Sequence, residues 1–196
     1  MVQTAERMET ALPAEVVEQA RQAVGEWEID AAHTTVGFYA RYLMFTKVFG
    51  TFTKFSGTAT VAERPEESKV DVTIETASVD THNEQRDGHL RSPEFFDVEK
   101  YPTIHFVSTG IEHRGGTKFR LTGDLTMHGA TQPVELEGEF LGIHKDPWGR
   151  DKAVVSATGN LNREQWGLTW NQALETGGVL LGSDIRLEIE AQFLRR

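Results

Sequence analysis

Four side chains in this sequence are of types that metal sites and acid–base catalysis use: His33, His82, Asp87 and His89. Neutral imidazoles and carboxylates bind divalent metals, and histidine exchanges protons near neutral pH. The spacing does not bring the four together, because Asp87 and His89 are two positions apart and would point to different faces of a helix. We therefore expect no metal site, no cofactor and no catalytic residue in this set.

Residues 78–106, which include three of those four, carry helical signals between two strands. Asn83 can cap a helix that begins at the next residue, and Ser92 followed by Pro93 can begin a second turn. We expect a short helical insertion around residues 83–97.

The charged and aromatic side chains of this insertion suit an anchoring role. Charge-assisted hydrogen bonds can fix it to the rest of the fold, and Asp87 is also four positions from Arg91, a spacing that favours an ion pair on a helix. Phe95 and Phe96 can clamp a ligand or pack against the fold, and packing is the interpretation that we favour. The expected anchor residues are Arg86, Asp87, His89, Leu90, Phe95 and Phe96.

Apolar and polar residues alternate on both sides of the insertion. Val70, Val72 and Ile74 alternate with polar residues before it, and Ile104 and Phe106 resume the period after it. A two-residue period is typical of half-buried strands, and strands that do not alternate with helices predict an all-β, antiparallel fold. The predicted strands are residues 27–29, 36–42, 48–61, 69–76, 103–108, 118–127, 134–143, 153–160 and 184–194.

A closed, lipocalin-like barrel of about eight strands explains why each strand has one polar and one apolar face. Such a barrel either fills with side chains or holds one small ligand. Small residues on the expected inner faces favour an open lumen: Ala40, Gly123, Gly159 and Ala191. Glycines within strands also predict bends or close approach of neighbouring groups, and they include Gly50, Gly57 and Gly138.

The inner faces and the strand ends supply the expected ligand-binding residues. They are Phe38, Tyr42, Phe52, Val72, Ile74, Phe106, Leu121, Leu125, Trp166 and Leu187. Near the last strand, the cluster of Arg163, Glu164 and Trp166 can hold a ligand head group at a cavity mouth. A network that anchors a loop explains this cluster equally well.

Composition restricts the partners. The net charge of -10 and the isoelectric point near 5.2 argue against a nucleic-acid partner or an anionic membrane surface, since both favour a basic patch. The sequence has no cysteine, which excludes disulfides, thiol nucleophiles and thiolate metal sites. No stretch approaches the ~20 apolar residues of a membrane span.

The first 25 residues precede the predicted barrel domain, residues 26–196. They contain no basic cap followed by an apolar run, so we expect no secretory signal and a cytoplasmic protein. Leu12, Val16 and Ala23 fall on one face of a candidate amphipathic helix. This helix can pack on the barrel or on a second subunit.

The order of short motifs along the chain resembles the YceI-like, polyisoprenoid-binding family of lipocalin-like proteins. The resemblance covers nearly all of residues 27–193 and rests on an ordered set of motifs. They are Trp27, Asp30 and His33 with Phe38, Gly50-x-Phe52, Phe55-x-Gly57, Ser78 with Asp80-Thr81, Arg86-Asp87-Gly88-His89-Leu90, Phe95-Phe96, Tyr101-Pro102, Phe106-x-Ser108, Gly123-x-Leu125-Thr126 with Gly129, Asn162-Arg163, Gly167 and Gly182-x-Asp184.

The resemblance implies an antiparallel barrel with a long apolar pore that holds an extended lipid such as an isoprenoid tail. It also implies that the helical insertion lies at or across the barrel, and that the protein is a homodimer. The family is often exported, and here an acidic helix stands in place of the signal segment. The chain also has Tyr42 where a histidine is common before Leu43, and His82 where glycine is usual. Histidine is acceptable at that position even if the turn needs a positive φ.

Three hypotheses follow. The first is non-catalytic binding, sequestration or transport of an isoprenoid, polyprenyl or quinone-like chain in the barrel lumen. The second is an enzyme that acts on a lipid or quinone-like substrate, with Tyr42, His33 or His89 as acid–base groups. The third is a stress-related interaction protein that assembles through the N-terminal helix.

Overall fold

Antiparallel strands make up most of the computed structural model, which describes Glu18 and residues 21–175 and 177–196. Described residues 18 and 21–23 are helical, and the rest of the expected N-terminal helix lies outside the described residues. The strands are β1 (Gly25–Ile29), β2 (Thr35–Tyr42), β3 (Thr46–Phe52), β4 (Phe55–Val61), β5 (Lys69–Glu75), β6 (Val79–Asp80), β7 (Thr103–Gly115), β8 (Lys118–Met127), β9 (Ala130–Lys145), β10 (Asp151–Asn162) and β11 (Leu181–Arg195).

The strands close into an eight-stranded barrel, which confirms the predicted fold class. The order around the barrel is β1-β4-β5-β7-β8-β9-β10-β11, and β11 pairs again with β1. β2 continues the path of β1 beside β11, and β3 and β6 extend this part of the sheet. Among the described strands, β6 pairs only with Thr51 and Phe52, so the rest of the outer edge of β3 has no strand partner.

The predicted single strand 48–61 is wrong, because the chain forms β3 and β4 with a break at Thr53 and Lys54. The backbone N–H of Thr53 donates to the carbonyl oxygen of Ser78 (3.1 Å) and that of Lys54 donates to Ser78 Oγ (3.1 Å). A serine from the β5–β6 connection thus takes donors that a continuous strand would give to its neighbour. This contact joins residues 24 and 25 positions apart, so alternation alone does not reveal it.

The helical insertion is present as α1 (Glu84–Arg91), followed by turns up to β7. Asn83 is the N-cap as predicted, since its side-chain oxygen accepts from the backbone N–H of Arg86 at 2.9 Å. Ser92 ends α1 and also accepts from the N–H of Phe95, which begins the next turn. His82, just before the helix, has φ of 59°, the positive value for which glycine is the usual choice.

Two apolar clusters line opposite parts of the barrel interior. At one end, which we call the Trp27 end, the fully buried Trp27 packs with Ala59, Ala191 and Phe193. The indole Nε1 of Trp27 donates to the carbonyl oxygen of Ala23 at 2.7 Å and so ties the described end of the N-terminal helix to the barrel. The other cluster extends from mid-barrel to α1, and we call that the α1 end.

Candidate functional site

The barrel encloses a cavity of about 1730 Å³. Pockets for drug-sized ligands usually measure about 300–1,000 Å³, so this one has room for a larger or longer molecule. Its wall is formed by the inner faces of the barrel strands and by the insertion. Most of its side chains are apolar, and they include the inward residues of β2, β5 and β11: Val36, Phe38, Ala40, Val70, Val72, Ile74, Ile185, Leu187, Ile189 and Ala191.

Nine of the ten expected ligand-binding residues lie in this wall. They are Phe38, Tyr42, Phe52, Val72, Ile74, Phe106, Leu121, Leu125 and Leu187. Whether they contact a ligand stays a prediction.

Trp166 is the tenth expected residue, and it is not among the residues of the wall. It is 1% exposed, and its indole Nε1 donates to the carbonyl oxygen of Leu125 at 2.9 Å. Trp166 lies in a 3₁₀ turn (Arg163–Trp166). The alternation of side chains along a strand does not apply there, so it does not predict which way the indole points.

Glycines on neighbouring strands let three inward aromatic rings lie along the wall. The ring of Phe38 covers Gly50, that of Phe106 covers Gly123, and that of Phe119 covers Gly138. A Cβ at any of these glycines would clash with the ring. The rings can rest on the glycines and so do not have to project into the lumen. This is the close approach expected of glycines within strands.

Arg163 places a buried positive charge in the wall at the α1 end. The residue is 3% exposed, its Nε donates to the carbonyl oxygen of Gly182 at 3.0 Å, and its Nη1 donates to that of Leu168. Among the described residues, Nη2 has no hydrogen-bond partner and no carboxylate forms an ion pair with the guanidinium. Burial lowers the pKa of Arg163 below its ordinary value. The apolar cavity therefore ends near a cation that forms no ion pair with a described residue, although the charge of neighbouring Glu164 partly offsets the lowering of its pKa.

The insertion is anchored through Thr81, which follows β6. Asp87 is buried, and its Oδ1 accepts from the backbone N–H (2.9 Å) and the hydroxyl (2.5 Å) of Thr81. Arg86 donates from Nε to Thr81 Oγ1 (2.7 Å) and from Nη2 to the Thr81 carbonyl oxygen (2.8 Å). The two charged residues thus fix the same short segment from two sides, as charge-assisted hydrogen bonds can do.

The expected pair of Asp87 with Arg91 is absent among the described ion pairs. Arg91 instead donates to the carbonyl oxygens of Ala77 and Val79, both at 2.8 Å. Asp87 is already occupied by Thr81, which leaves Arg91 to bind the backbone before β6. The sequence showed the charge of Arg91 but gave no signal for these carbonyl acceptors.

The apolar side of the insertion forms part of the cavity wall at the α1 end. His89, Leu90, Phe95 and Phe96 all belong to the wall. Phe96 contacts Phe52 edge-on, with ring centroids 5.9 Å apart. His89, Phe95 and Trp170 form an aromatic cluster with centroid distances of 4.7–5.2 Å. Trp170, which lies in the segment between β10 and β11, was not among the expected site residues.

His33, His82 and His89 each contact a different carboxylate. His33 Nδ1 is 2.9 Å from Asp30 Oδ2, while His89 Nε2 is 2.6 Å from Glu94 Oε2. His82 is exposed beside Asp80. Within residues 21–175 and 177–196, no group of three or more histidine or acidic side chains has the geometry for a metal ion.

Exposed side chains of the wall lie at both ends of the barrel, and those at the Trp27 end include Arg21, Glu63, His113 and Lys118. Tyr42 stands at the end of β2, Gln85 is on α1, and both are exposed. Leu181 pairs with Tyr42 across β2 and β11, and Val48 lies on the β3 edge that has no strand partner. The opening at the α1 end, which we call the mouth, lies between α1, β3 and the start of β11.

None of the helices in the described part of the chain has the length and apolar character of a membrane-spanning segment.

Comparison with known proteins gives consistent results. A family model described as a YceI-like domain matches residues 27–193. A curated relative, a UPF0312 protein of Photorhabdus laumondii, is 39% identical over 164 residues, which cover 83% of this chain and 83% of the relative. The crystal structure of the Campylobacter jejuni YCEI protein has a TM-score of 0.67 and 33% identity, and the match covers 85% of this chain and 96% of that one.

A more distant structure shares the fold. A polyisoprenoid binding domain from Saccharophagus degradans has a TM-score of 0.67 at 12% identity, and the match covers 87% of this chain and 98% of that one.

Proposed function

The chain belongs to the YceI-like domain family, and from the cavity that its barrel encloses we propose that it binds a long apolar lipid without catalysis. The lipid class is an isoprenoid, polyprenyl or quinone-like chain, which the protein sequesters or carries. A structural relative that is named for polyisoprenoid binding supports this class.

The single observation that carries the proposal is the size, shape and apolar wall of the cavity. Strands β9 and β11 have 16 and 15 residues, which correspond to about 50 Å of extended backbone each. Residues from both ends of β11, Leu181 and Phe193, lie in the wall, so the cavity is suited to an extended chain. Each buried CH₂ group of such a ligand contributes about 0.8 kcal/mol before the cost of ordering the chain is subtracted.

The apolar wall selects ligands by the width of the chain rather than by its exact chemical identity. An apolar pocket discriminates weakly between ligands that differ by one methylene, by a factor of about 10–200. We therefore propose a preference for a class of chains of similar width.

Arg163 supports a preference for certain ligand head groups. Its positive charge is buried in the wall at the α1 end and has no carboxylate partner among the described residues. A carbonyl or anionic head group placed near it is favoured over a cationic one, because charges interact strongly in a region of low dielectric constant. A quinone or a prenyl phosphate fits this requirement.

The proposal is tested by mass spectrometry of the organic extract of purified protein, followed by uptake of an added prenylated quinone. We expect long-chain lipid in the wild type and a large loss of uptake in Leu121→Trp, which places an indole in the cavity. Val107→Trp is the matched control, since Val107 is 38% exposed on the neighbouring strand β7. A wild type without extracted lipid and without uptake would rule out the proposal.

Three further expectations remain predictions: a homodimer, a cytoplasmic location and a transport role. Sedimentation of the full chain measures the first, and fractionation of cells that express it measures the second. Conversion of an added lipid or quinone that His89→Ala abolishes would instead favour an enzyme.

A further inference from the structure

The β2–β3 turn exposes three consecutive apolar side chains, Leu43, Met44 and Phe45, which we call the hairpin tip. Their exposed fractions are 40%, 58% and 84%. Val179 is also exposed, and it precedes Leu180, whose carbonyl oxygen accepts from the N–H of Leu43 at 2.8 Å. Contiguous exposed apolar surface of this kind marks an interaction site more often than single exposed residues do.

The backbone of the hairpin tip makes this choice of residues unexpected. Leu43 and Met44 have φ of 51° and 66°, and the N–H of Phe45 donates to the carbonyl oxygen of Tyr42 at 3.3 Å. A turn with two successive left-handed residues favours Asn-Gly, because larger side chains are strained there. Leu43 and Met44 also belong to neither apolar cluster. Met44 packs against Gly178, but burial in the core does not explain a leucine and a methionine at these strained positions, whereas a contact outside the chain does.

The chain segment that carries the hairpin tip differs in charge from the whole protein, although exposed Glu175 lies in the loop that contacts the tip. Arg41 and Lys47 are exposed and lie directly opposite each other at its base. Residues 31–62 contain no aspartate or glutamate, although the chain has 30 acidic residues and a net charge of -10. An apolar tip with cations behind it matches a bilayer surface, where acyl chains lie below a layer of phosphates. Zwitterionic and anionic lipids both supply those phosphates.

The hairpin tip also adjoins the mouth of the cavity. Tyr42 is the last residue of β2 before the tip, and its partner Leu181 lies in the cavity wall with it. Leu180, bonded to Leu43, belongs to the wall as well. Insertion of the tip would bring the mouth to the membrane surface.

We propose that the hairpin tip docks the protein on a lipid bilayer, with Leu43, Met44 and Phe45 in the acyl layer and Arg41 and Lys47 at the phosphates. A long apolar chain then passes between bilayer and cavity without crossing water. The identity of this cargo rests on the proposed function, whereas the docking does not. The net charge opposes long-range attraction to anionic lipid, so apolar insertion supplies the main attraction.

The test is flotation of the full-length protein with phosphatidylcholine vesicles, with and without phosphatidylglycerol. We expect the wild type to bind both. The double variant Leu43→Asn/Met44→Gly removes two apolar side chains and supplies the pair that the turn favours, so it should fold at least as well as the wild type. Its partition coefficient should fall about tenfold or more, given the area of two large side chains.

A matched control separates docking from general surface hydrophobicity. Trp148 is 76% exposed, but it lies in the β9–β10 turn at the Trp27 end. Trp148→Ser should leave vesicle binding unchanged. The double variant Arg41→Gln/Lys47→Gln should weaken binding, and more so for vesicles that contain phosphatidylglycerol.

The docking proposal is overturned if the wild type does not float with either vesicle, or if Leu43→Asn/Met44→Gly binds as tightly as the wild type. A wild type that fails to float, together with a dimer that this variant dissociates in sedimentation, would assign the hairpin tip to contact with a second copy. Uptake of a prenylated quinone added without vesicles distinguishes the two proposals. Uptake without vesicle binding would support the proposed function and refute the docking. Vesicle binding without uptake would support the docking and refute the proposed function.

Discussion

Gly50 and Phe38 illustrate how a single residue controls the free volume of the cavity. The ring of Phe38 lies where a Cβ of residue 50 would be, and the same holds for Phe106 with Gly123. A larger residue at Gly50 must displace the ring, and the lumen is the space available to it. The open lumen therefore depends on the absence of a side chain at Gly50 and Gly123.

We predict that Gly50→Val pushes the Phe38 ring into the cavity. Uptake of a long-chain quinone should decrease, and the free energy of unfolding should fall by about 1–3 kcal/mol from overpacking. Lipid stoichiometry and urea unfolding measure the two effects. Gly88→Ala on α1 is the control, since a Cβ there meets no atom within 4 Å and alanine favours a helix. Unchanged uptake in Gly50→Val would contradict this explanation of the open lumen.

Asp30 makes the stability of the barrel depend on pH. Its Oδ2 accepts from Lys152 Nζ at 2.8 Å, and Lys152 is buried on β10. The hydrogen bond from Lys152 is the main reason that the pKa of Asp30 lies below its ordinary value of 3.8. A carboxyl group with a lower pKa in the folded state stabilises the fold fully above its unfolded pKa. That contribution is lost as the pH falls below about 4.

Asp30→Asn should therefore lower the free energy of unfolding near neutral pH, by about 1–3 kcal/mol, because Lys152 loses its charged partner. The same variant should show a weaker loss of stability below about pH 4 than the wild type. Urea unfolding at several pH values measures both. Asp71→Asn, which alters the exposed Asp71–His105 pair, should change little. Identical acid dependence in Asp30→Asn and the wild type would show that another group is responsible.

At the scale of the secondary-structure element, α1 and its flanking turns act as one anchored unit. Asp87 is occupied by two donors of Thr81, while Arg91 binds two carbonyl oxygens before β6. The apolar residues Leu90 and Phe96 then complete the cavity wall. Loss of the polar anchor should loosen the unit without altering the barrel strands.

We predict that Asp87→Ala destabilises the protein by about 1–3 kcal/mol, since two buried donors of Thr81 lose their acceptor. Amide hydrogen exchange should accelerate in residues 83–97 more than in β8 and β9, because the anchor is local. Glu84→Gln, at an exposed position of the same helix, should leave exchange unchanged. Uniform acceleration across the barrel would mean that Asp87 supports the whole fold rather than the insertion.

At the scale of the whole molecule, the stability of the folded protein depends on whether the cavity is occupied. A barrel with about 1730 Å³ of lumen lacks the packing that a filled core would supply. Any ligand that binds only the folded state raises stability in proportion to the logarithm of its concentration. A tightly bound lipid is thus expected to replace part of the missing core.

We predict that removal of bound lipid lowers the Tm, and that an added prenylated quinone restores it. At a free concentration 100 times the Kd, the gain is about 2.7 kcal/mol in free energy of unfolding. Differential scanning calorimetry across a quinone titration measures the shift. Leu121→Trp should show little dependence on the quinone, whereas Val107→Trp should behave as the wild type. A Tm independent of quinone concentration in the wild type would contradict the linkage.

The sequence by itself determined the family, the antiparallel barrel and the position of the helical insertion. Alternation of side chains along a strand, the cap at Asn83 and the tolerance of His82 for positive φ are local properties of the backbone, and local spacing reveals them. Only the tertiary structure decided that the lumen is open, that Trp166 lies outside the wall and that Ser78 breaks the strand between β3 and β4. It also showed that Arg91 binds carbonyl oxygens and that the hairpin tip is exposed beside the mouth. These features depend on which residues, distant in sequence, face each other across neighbouring strands, and closure of the barrel determines that pairing.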